Sequence, residues 1–253
     1  MIQRLFVTAS GIFCVLGTLV GVGVLGTRVE ESSGGALSAE ATLIAPAGPA
    51  FSVWSVIYLG LLGYVIWQWT PAGRSPRATA IGWLAGWSMI LNASWLLVTQ
   101  QSWLWVSVAV ILALLIVLGV LVRRLVERPA ETLAERIVVD GTFGLYLGWV
   151  CVAVCANITA TMVADGITFG AADPFIAALV VAVAGGVGVF LAWRLGGRWA
   201  VALGIAWGLS WLAVGRLTAD PRSVLVGVVA ILAAVAVLAA VPTLGRRGKA
   251  SAA

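Results

Sequence analysis

The sequence contains no histidine and a single lysine, and charged residues make up only 10% of its 253 residues. A soluble domain carries about 25% charged residues. The absence of histidine excludes histidine-based catalysis and histidine–metal sites. No carboxylate or lysine lies deep inside any of the long apolar segments. This disfavours a proton-coupled transporter or a membrane hydrolase, because such proteins usually need an ionisable group at that depth.

Long apolar runs take the place of charge, and 62% of the residues are hydrophobic. Each run has about 19 to 26 residues, enough to cross a hydrocarbon core about 30 Å thick. The predicted spans are 5–26, 49–69, 80–99, 103–122, 138–163, 174–193, 199–217 and 223–242. The three cysteines fall inside these runs and are interpreted as small packing residues. The sequence therefore predicts an all-α polytopic membrane protein with eight spans.

The distribution of arginine predicts the orientation of these spans. With the N-terminus inside, twelve basic residues fall in inner segments, and only Arg28, Arg216 and Arg222 fall outside. This is a strong positive-inside bias, which predicts cytoplasmic N- and C-termini. Because topology accounts for the net charge of +5, we expect no nucleic-acid partner. Fourteen arginines against one lysine are typical of a GC-rich bacterial genome, so we expect a multi-pass protein of the cytoplasmic membrane.

The longest predicted outer connection, residues 27–48, is rich in Gly, Ser and Ala and leads into Pro46-Ala47-Gly48-Pro49. Pro49 suits the first turn of a helix. A connection of this length without a regular pattern is often a lid or a binding loop. A plain surface linker is the alternative.

Polar and aromatic residues cluster on particular faces of three spans. Span five carries Tyr146, Trp149, Ala153 and Asn157 at offsets 0, 3, 7 and 11, which fall on one helix face. Span three carries Asn92 and Trp95, and span two opens with Phe51, Trp54 and Tyr58.

The depth of these residues adds a second constraint. Asn92 and Asn157 are each about 10 Å from the outer ends of their spans. Trp54, Trp95 and Ala153 also fall in the outer half, beneath the 27–48 loop, and Trp149 lies near mid-depth. A few polar groups among aromatic walls suit a pocket for a flat apolar ligand. The alternative is that the aromatic rings fill the bundle and the asparagines bond each other or backbone carbonyls.

At these residues the sequence resembles the tryptophan-rich sensory protein (TspO) or translocator protein family. The resemblance lies in Pro46-Ala-Gly-Pro49 with Phe51…Trp54-Ser-Val-Ile-Tyr58, in Asn92-Ala-Ser-Trp95, and in Tyr146…Trp149…Ala153…Asn157. These motifs cover about residues 1–165. The tryptophans that the family carries around its Pro-Pro element are missing from residues 38–50.

The resemblance implies a five-helix bundle over 1–165 with a pocket under the first long loop. We therefore expect three additional transmembrane helices over 166–243 and a basic cytoplasmic tail over 244–253. In the family the pocket binds porphyrins such as protoporphyrin IX. By resemblance, Asn92 is a polar ligand contact, Trp149 an aromatic wall, and Ala153 the small residue that leaves space for the ligand.

Three functions stay open at this stage. The resemblance favours a membrane sensor that binds a porphyrin or another tetrapyrrole, with the bilayer and a hydrophobic ligand as its partners. A homodimer is compatible with it, and no cofactor is required. A small-molecule transporter is the main alternative, and a membrane-embedded enzyme is a weaker one because the pocket offers no titratable residue except Tyr58 and Tyr146.

Overall fold

The computed structural model describes the backbone of residues 1–250 and the side chains of residues 1–243. The predicted basic tail, 244–253, therefore lies outside the described side chains. Eight long helices dominate the fold: α1 Ile2–Gly21, α2 Val53–Trp67, α3 Pro76–Gln100, α4 Leu104–Glu127, α5 Thr142–Ala164, α6 Asp173–Arg194, α7 Trp199–Thr218 and α8 Val224–Ala250. Each of the eight is long and apolar enough to cross a membrane. The all-α fold and the count of eight spans are confirmed.

The ends of the helices follow local signals that hydropathy alone does not locate. α1 ends at Gly21, five residues before the predicted limit, and Gly23 then takes a left-handed conformation with φ of 82°. α3 begins at Pro76, four residues before the predicted limit, because the side chain of Ser75 accepts a hydrogen bond from the N–H of Ala78. The predicted role of Pro49 is confirmed in a 3-10 turn, Gly48–Ser52, that leads into α2.

Each helix packs against the next in the order α1, α3, α4, α5, α7, α8 and α6. The remaining helix, α2, packs on α5. The crossing of α5 and α7 joins the last three helices to the rest. A Cβ at Gly204 would stand 2.5 Å from the carbonyl oxygen of Leu145, and one at Gly148 would collide with the carbonyl of Val201. The glycines therefore bring the two backbones into direct contact.

A charged cluster ties the same elements together at the arginine-rich end of the bundle. Asp140 lies in a π-helical turn, Arg136–Gly141, just before α5. One of its oxygens accepts hydrogen bonds from Arg77 at 2.6 Å and from Arg198 at 2.7 Å. Both arginines also donate to backbone carbonyls at the end of α4. The cluster therefore connects α3, α4, α5 and α7.

Candidate functional site

Three cavities lie next to one another beneath the 27–48 loop, among the ends of α1, α2, α3 and α5 that are nearest to this loop. Phe51 and Trp95 line all three and separate them. The first cavity has a volume of about 50 Å³ and is roofed by loop residues that include Leu37 and Pro46. The second has a volume of about 400 Å³ and lies between α1, α2 and α3. The third, about 30 Å³, lies deeper in the bundle.

The structure brings the nine predicted site residues together around these cavities. The deep cavity is lined by Phe51, Trp54, Asn92, Trp95, Trp149 and Ala153. Tyr58 lines the second cavity and Asn157 the first. Tyr146 lies behind this wall, completely buried, with its ring edge-on to Trp54 at 5.7 Å.

An aromatic cluster forms the wall between α2 and α5. The Trp54 ring stacks on Tyr58 with 5.4 Å between centroids, and it meets Trp149 edge-on at 6.2 Å. Phe51 also meets Trp149 edge-on, with 5.9 Å between centroids. Such geometries are favourable for aromatic pairs. The aromatic residues that recur at helical spacing in the sequence therefore form one continuous wall.

The two asparagines bond different side chains and not each other or backbone carbonyls, so that part of the alternative prediction is wrong. Nδ2 of Asn92 donates to the Tyr58 hydroxyl at 3.2 Å and lies 3.6 Å from Sγ of Cys14. Oδ1 of Asn157 accepts from the indole N–H of Trp95 at 3.1 Å. Its Nδ2 donates to the Ser107 hydroxyl at 3.0 Å. Both amides therefore connect helices that border the cavities.

The indole N–H of Trp149 is a buried polar group of this wall without a hydrogen-bond partner within the described residues. Trp149 is 2% exposed, and among the described side chains and backbone no acceptor reaches its Nε1. A buried donor without a partner costs about 1–3 kcal/mol, and such a group in a native structure calls for an explanation. Trp149 lines two of the cavities, but its Nε1 is buried, so an acceptor on a bound molecule reaches this N–H only after neighbouring side chains move.

The roof over the cavities is held from the far side by α7. Arg216, buried at 1% exposure, donates to the carbonyls of Thr42 and Ala39, each at 2.9 Å. Trp207 donates to the carbonyl of Ala50 at 2.9 Å, and the N–H of Ala47 donates to the carbonyl of Trp211. The second half of the loop is therefore fixed to α7.

The first half of the loop is attached to α3 instead. Gln100 both accepts from the N–H of Thr27 at 3.1 Å and donates to its carbonyl at 2.8 Å. The Ser33 hydroxyl donates to the carbonyl of Thr99. The 27–48 segment thus spans from α3 to α7 across the cavities, which is the geometry of a lid rather than of a plain surface linker.

Sequence reasoning did not find the groups that position this site from outside its motifs. Cys14 and Ser107 had no distinguishing pattern within their apolar runs. Arg216 did carry a signal: it is one of three arginines on the side that the charge bias leaves nearly free of them. Its burial against the loop accounts for that exception.

Comparison with known proteins gives one match. The family model described as TSPO-like protein matches residues 7–242, nearly the whole chain. The matched region includes the three last helices, beyond the motifs at residues 46–157. No curated protein and no solved structure matches the chain.

Proposed function

Because the chain belongs to the TSPO-like protein family, we propose that it binds a flat, largely apolar ligand of the porphyrin or tetrapyrrole class beneath its 27–48 loop. The observation that supports this most is the buried N–H of Trp149, which has no partner within the described residues and lies in a wall that is mainly aromatic and aliphatic. A tetrapyrrole offers apolar faces for the rings and peripheral acceptors for a donor. A tryptophan-rich sensory role is the function that this supports.

The volumes of the cavities favour a ligand that binds mainly in the second cavity. Ligand sites of drug-sized molecules have volumes of about 300–1,000 Å³. The second cavity, between α1, α2 and α3, has a volume of about 400 Å³, whereas the first cavity has a volume of about 50 Å³. Phe51 and Trp95 stand between them. A large ligand therefore enters the second cavity and reaches Trp149 by displacing the ring of Phe51 or Trp95.

The test is a titration of the purified full chain in detergent with protoporphyrin IX, followed by tryptophan quenching and porphyrin absorbance. Wild type should bind saturably. Trp149→Phe removes the free donor and should weaken binding by about two- to tenfold, the worth of one net hydrogen bond. Ala153→Phe fills the small compartment with a ring and should weaken binding further.

Matched substitutions on a lipid-exposed face of α6 are the controls. Ala182→Phe and Trp193→Phe introduce the same changes of side chain far from the cavities and should leave the affinity unchanged. Absence of saturable binding to wild type would refute the proposal. Equal affinity of Ala153→Phe and Ala182→Phe would show that the porphyrin binds elsewhere.

A transporter is the second function to consider, and the packing below the cavities argues for binding instead. Tyr146 and Phe143, both fully buried, lie on α5 beneath Trp149 and fill the bundle towards the arginine-rich end. The Tyr64 ring packs edge-on against Phe143 at 5.0 Å. Passage of a flat ligand would require this packing to open. We propose that the protein lies in the cytoplasmic membrane, with lipid and a hydrophobic ligand as its partners.

A further inference from the structure

A second concave region lies at the opposite end of the bundle, where α1 and α3 begin. It has a volume of about 530 Å³ and is lined by Met1, Gln3, Arg4, Gly73, Arg74, Thr79 and Trp83. We name it the α1–α3 groove. None of the nine ligand-pocket residues borders it. We propose that this groove binds an anionic phospholipid, with the headgroup phosphate held by Arg4 and Arg74.

The α1–α3 groove carries positive charge that no acidic side chain neutralises within the described residues. Within residues 1–243, whose side chains are described, neither Arg4 nor Arg74 forms a salt bridge, and no acidic residue lines the groove. Arg4 donates one hydrogen bond to the carbonyl of Gly73 at 3.0 Å, which holds its guanidinium beside the loop that carries Arg74. Two guanidinium groups without a counterion favour a phosphate, which they can bind with several hydrogen bonds.

The surroundings of the groove favour a lipid over a free anion. Trp83 and Trp87, about half exposed, follow one another along α3 on the side of the groove. Phe6 packs against both rings, with centroids 4.9 and 5.8 Å apart. Tryptophan at the depth of lipid headgroups is typical of membrane proteins. An acyl chain could therefore run along these rings while its headgroup stays at the arginines.

The groove also has a preformed floor. A Cβ at Gly82 would stand 2.5 Å from Cδ of Gln3, and one at Gly86 would collide with the Phe6 ring. Gln3 in turn donates to the carbonyl of Thr79 at 2.9 Å. α1 and α3 are thus in close contact below the headgroup position, so the site needs no rearrangement of the helices. Basic pockets between transmembrane helices are known to select anionic headgroups.

The experiment measures the melting temperature of the full chain in detergent during titration with dioctanoyl phosphatidylglycerol. A ligand of the folded state raises this temperature saturably. Dioctanoyl phosphatidylcholine and inorganic phosphate are titrated in parallel. We expect the phosphatidylglycerol to stabilise wild type, and the other two to have little effect because one lacks net charge and the other lacks acyl chains.

The variants are Arg74→Gln, Arg4→Gln and their combination. Each lost guanidinium should weaken the apparent affinity for phosphatidylglycerol about fivefold. Arg4→Gln also removes the bond to Gly73, whereas the side chain of Arg74 makes no hydrogen bond within the described residues. Arg74→Gln therefore keeps the test valid if Arg4→Gln fails to fold. Arg4 lies over the ring of Trp69, 5.9 Å from its centroid. Arg194→Gln is the matched control, because Arg194 lies 5.6 Å from the ring centroid of Trp193 in the same way but lines no part of the groove.

The proposal is supported if Arg74→Gln loses affinity, with Arg4→Gln losing it too where that variant folds, and Arg194→Gln keeps it. It is overturned if phosphatidylcholine stabilises as well as phosphatidylglycerol, if phosphate alone reproduces the effect, or if Arg74→Gln and Arg194→Gln respond equally. None of these outcomes depends on the porphyrin titration, since the groove and the outer cavities share no residue.

Discussion

The amide of Asn157 joins two helices to α5 by side-chain bonds alone. It accepts from Trp95 on α3 and donates to Ser107 on α4. Within a bilayer the groups involved have no water to replace a lost partner. This asparagine therefore stabilises the bundle beside the cavities, in addition to any contact that it makes with a ligand.

Replacing this amide should reveal coupling between Asn157 and Trp95. We expect Asn157→Leu to lower the free energy of unfolding by about 1–2 kcal/mol, because it leaves the Trp95 N–H without its acceptor, although the Ser107 hydroxyl keeps its bond to the carbonyl of Leu104. Trp95→Phe alone should cost less, and the double variant should be more stable than the sum of the two losses predicts. Unfolding in mixed detergent micelles measures all three. Strict additivity would contradict the bond.

At the scale of single helices, the crossing of α5 and α7 leaves no room for side chains at its glycines. Gly204→Ala should greatly reduce the amount of folded protein and its melting temperature, because the new Cβ meets backbone atoms of Leu145 and Trp149 that cannot turn aside. Gly186→Ala on α6 is the control, since a Cβ there has nothing within 4 Å. Equal stability of the two variants would show that the backbones of α5 and α7 are not in direct contact at Gly204.

The lid should respond to the arginine that holds it. In Arg216→Gln the carbonyls of Ala39 and Thr42 lose a charged donor, and we expect amide exchange in residues 39–47 to accelerate on the order of tenfold. Hydrogen–deuterium exchange with mass spectrometry measures this directly. Arg222→Gln serves as the comparison, because Arg222 is exposed and makes a single bond to the carbonyl of Thr218 at 3.3 Å. Similar exchange in both variants would mean that the lid does not depend on α7.

The elements differ in how far the sequence could predict them. Hydropathy predicted all eight spans, because a run of about 20 apolar residues is a strong and local signal. Periodicity placed Tyr146, Trp149, Ala153 and Asn157 on one face of α5, because the spacing of residues along a helix is also a local signal. The attachment of the loop to Arg216 joins residues more than 170 positions apart, and no local pattern encodes which helix a loop will meet.

For the whole molecule, the last three helices extend the bundle and take part in the site. Of these three helices, α7 packs on α5 through glycines, contributes Arg198 to the ion cluster around Asp140, and holds the lid. A chain of five helices alone would lack Arg216, Trp207 and Trp211. The match of the family model across residues 7–242 agrees with this shared architecture.

A tetrapyrrole bound beneath the lid that α3 and α7 hold should protect the lid from exchange with solvent. The decisive measurement is hydrogen–deuterium exchange of the full chain in detergent, with and without saturating protoporphyrin IX. We expect slower exchange in residues 36–46 and little change at the arginine-rich end. Saturable binding that protects other regions and leaves residues 36–46 unchanged would contradict binding beneath the lid.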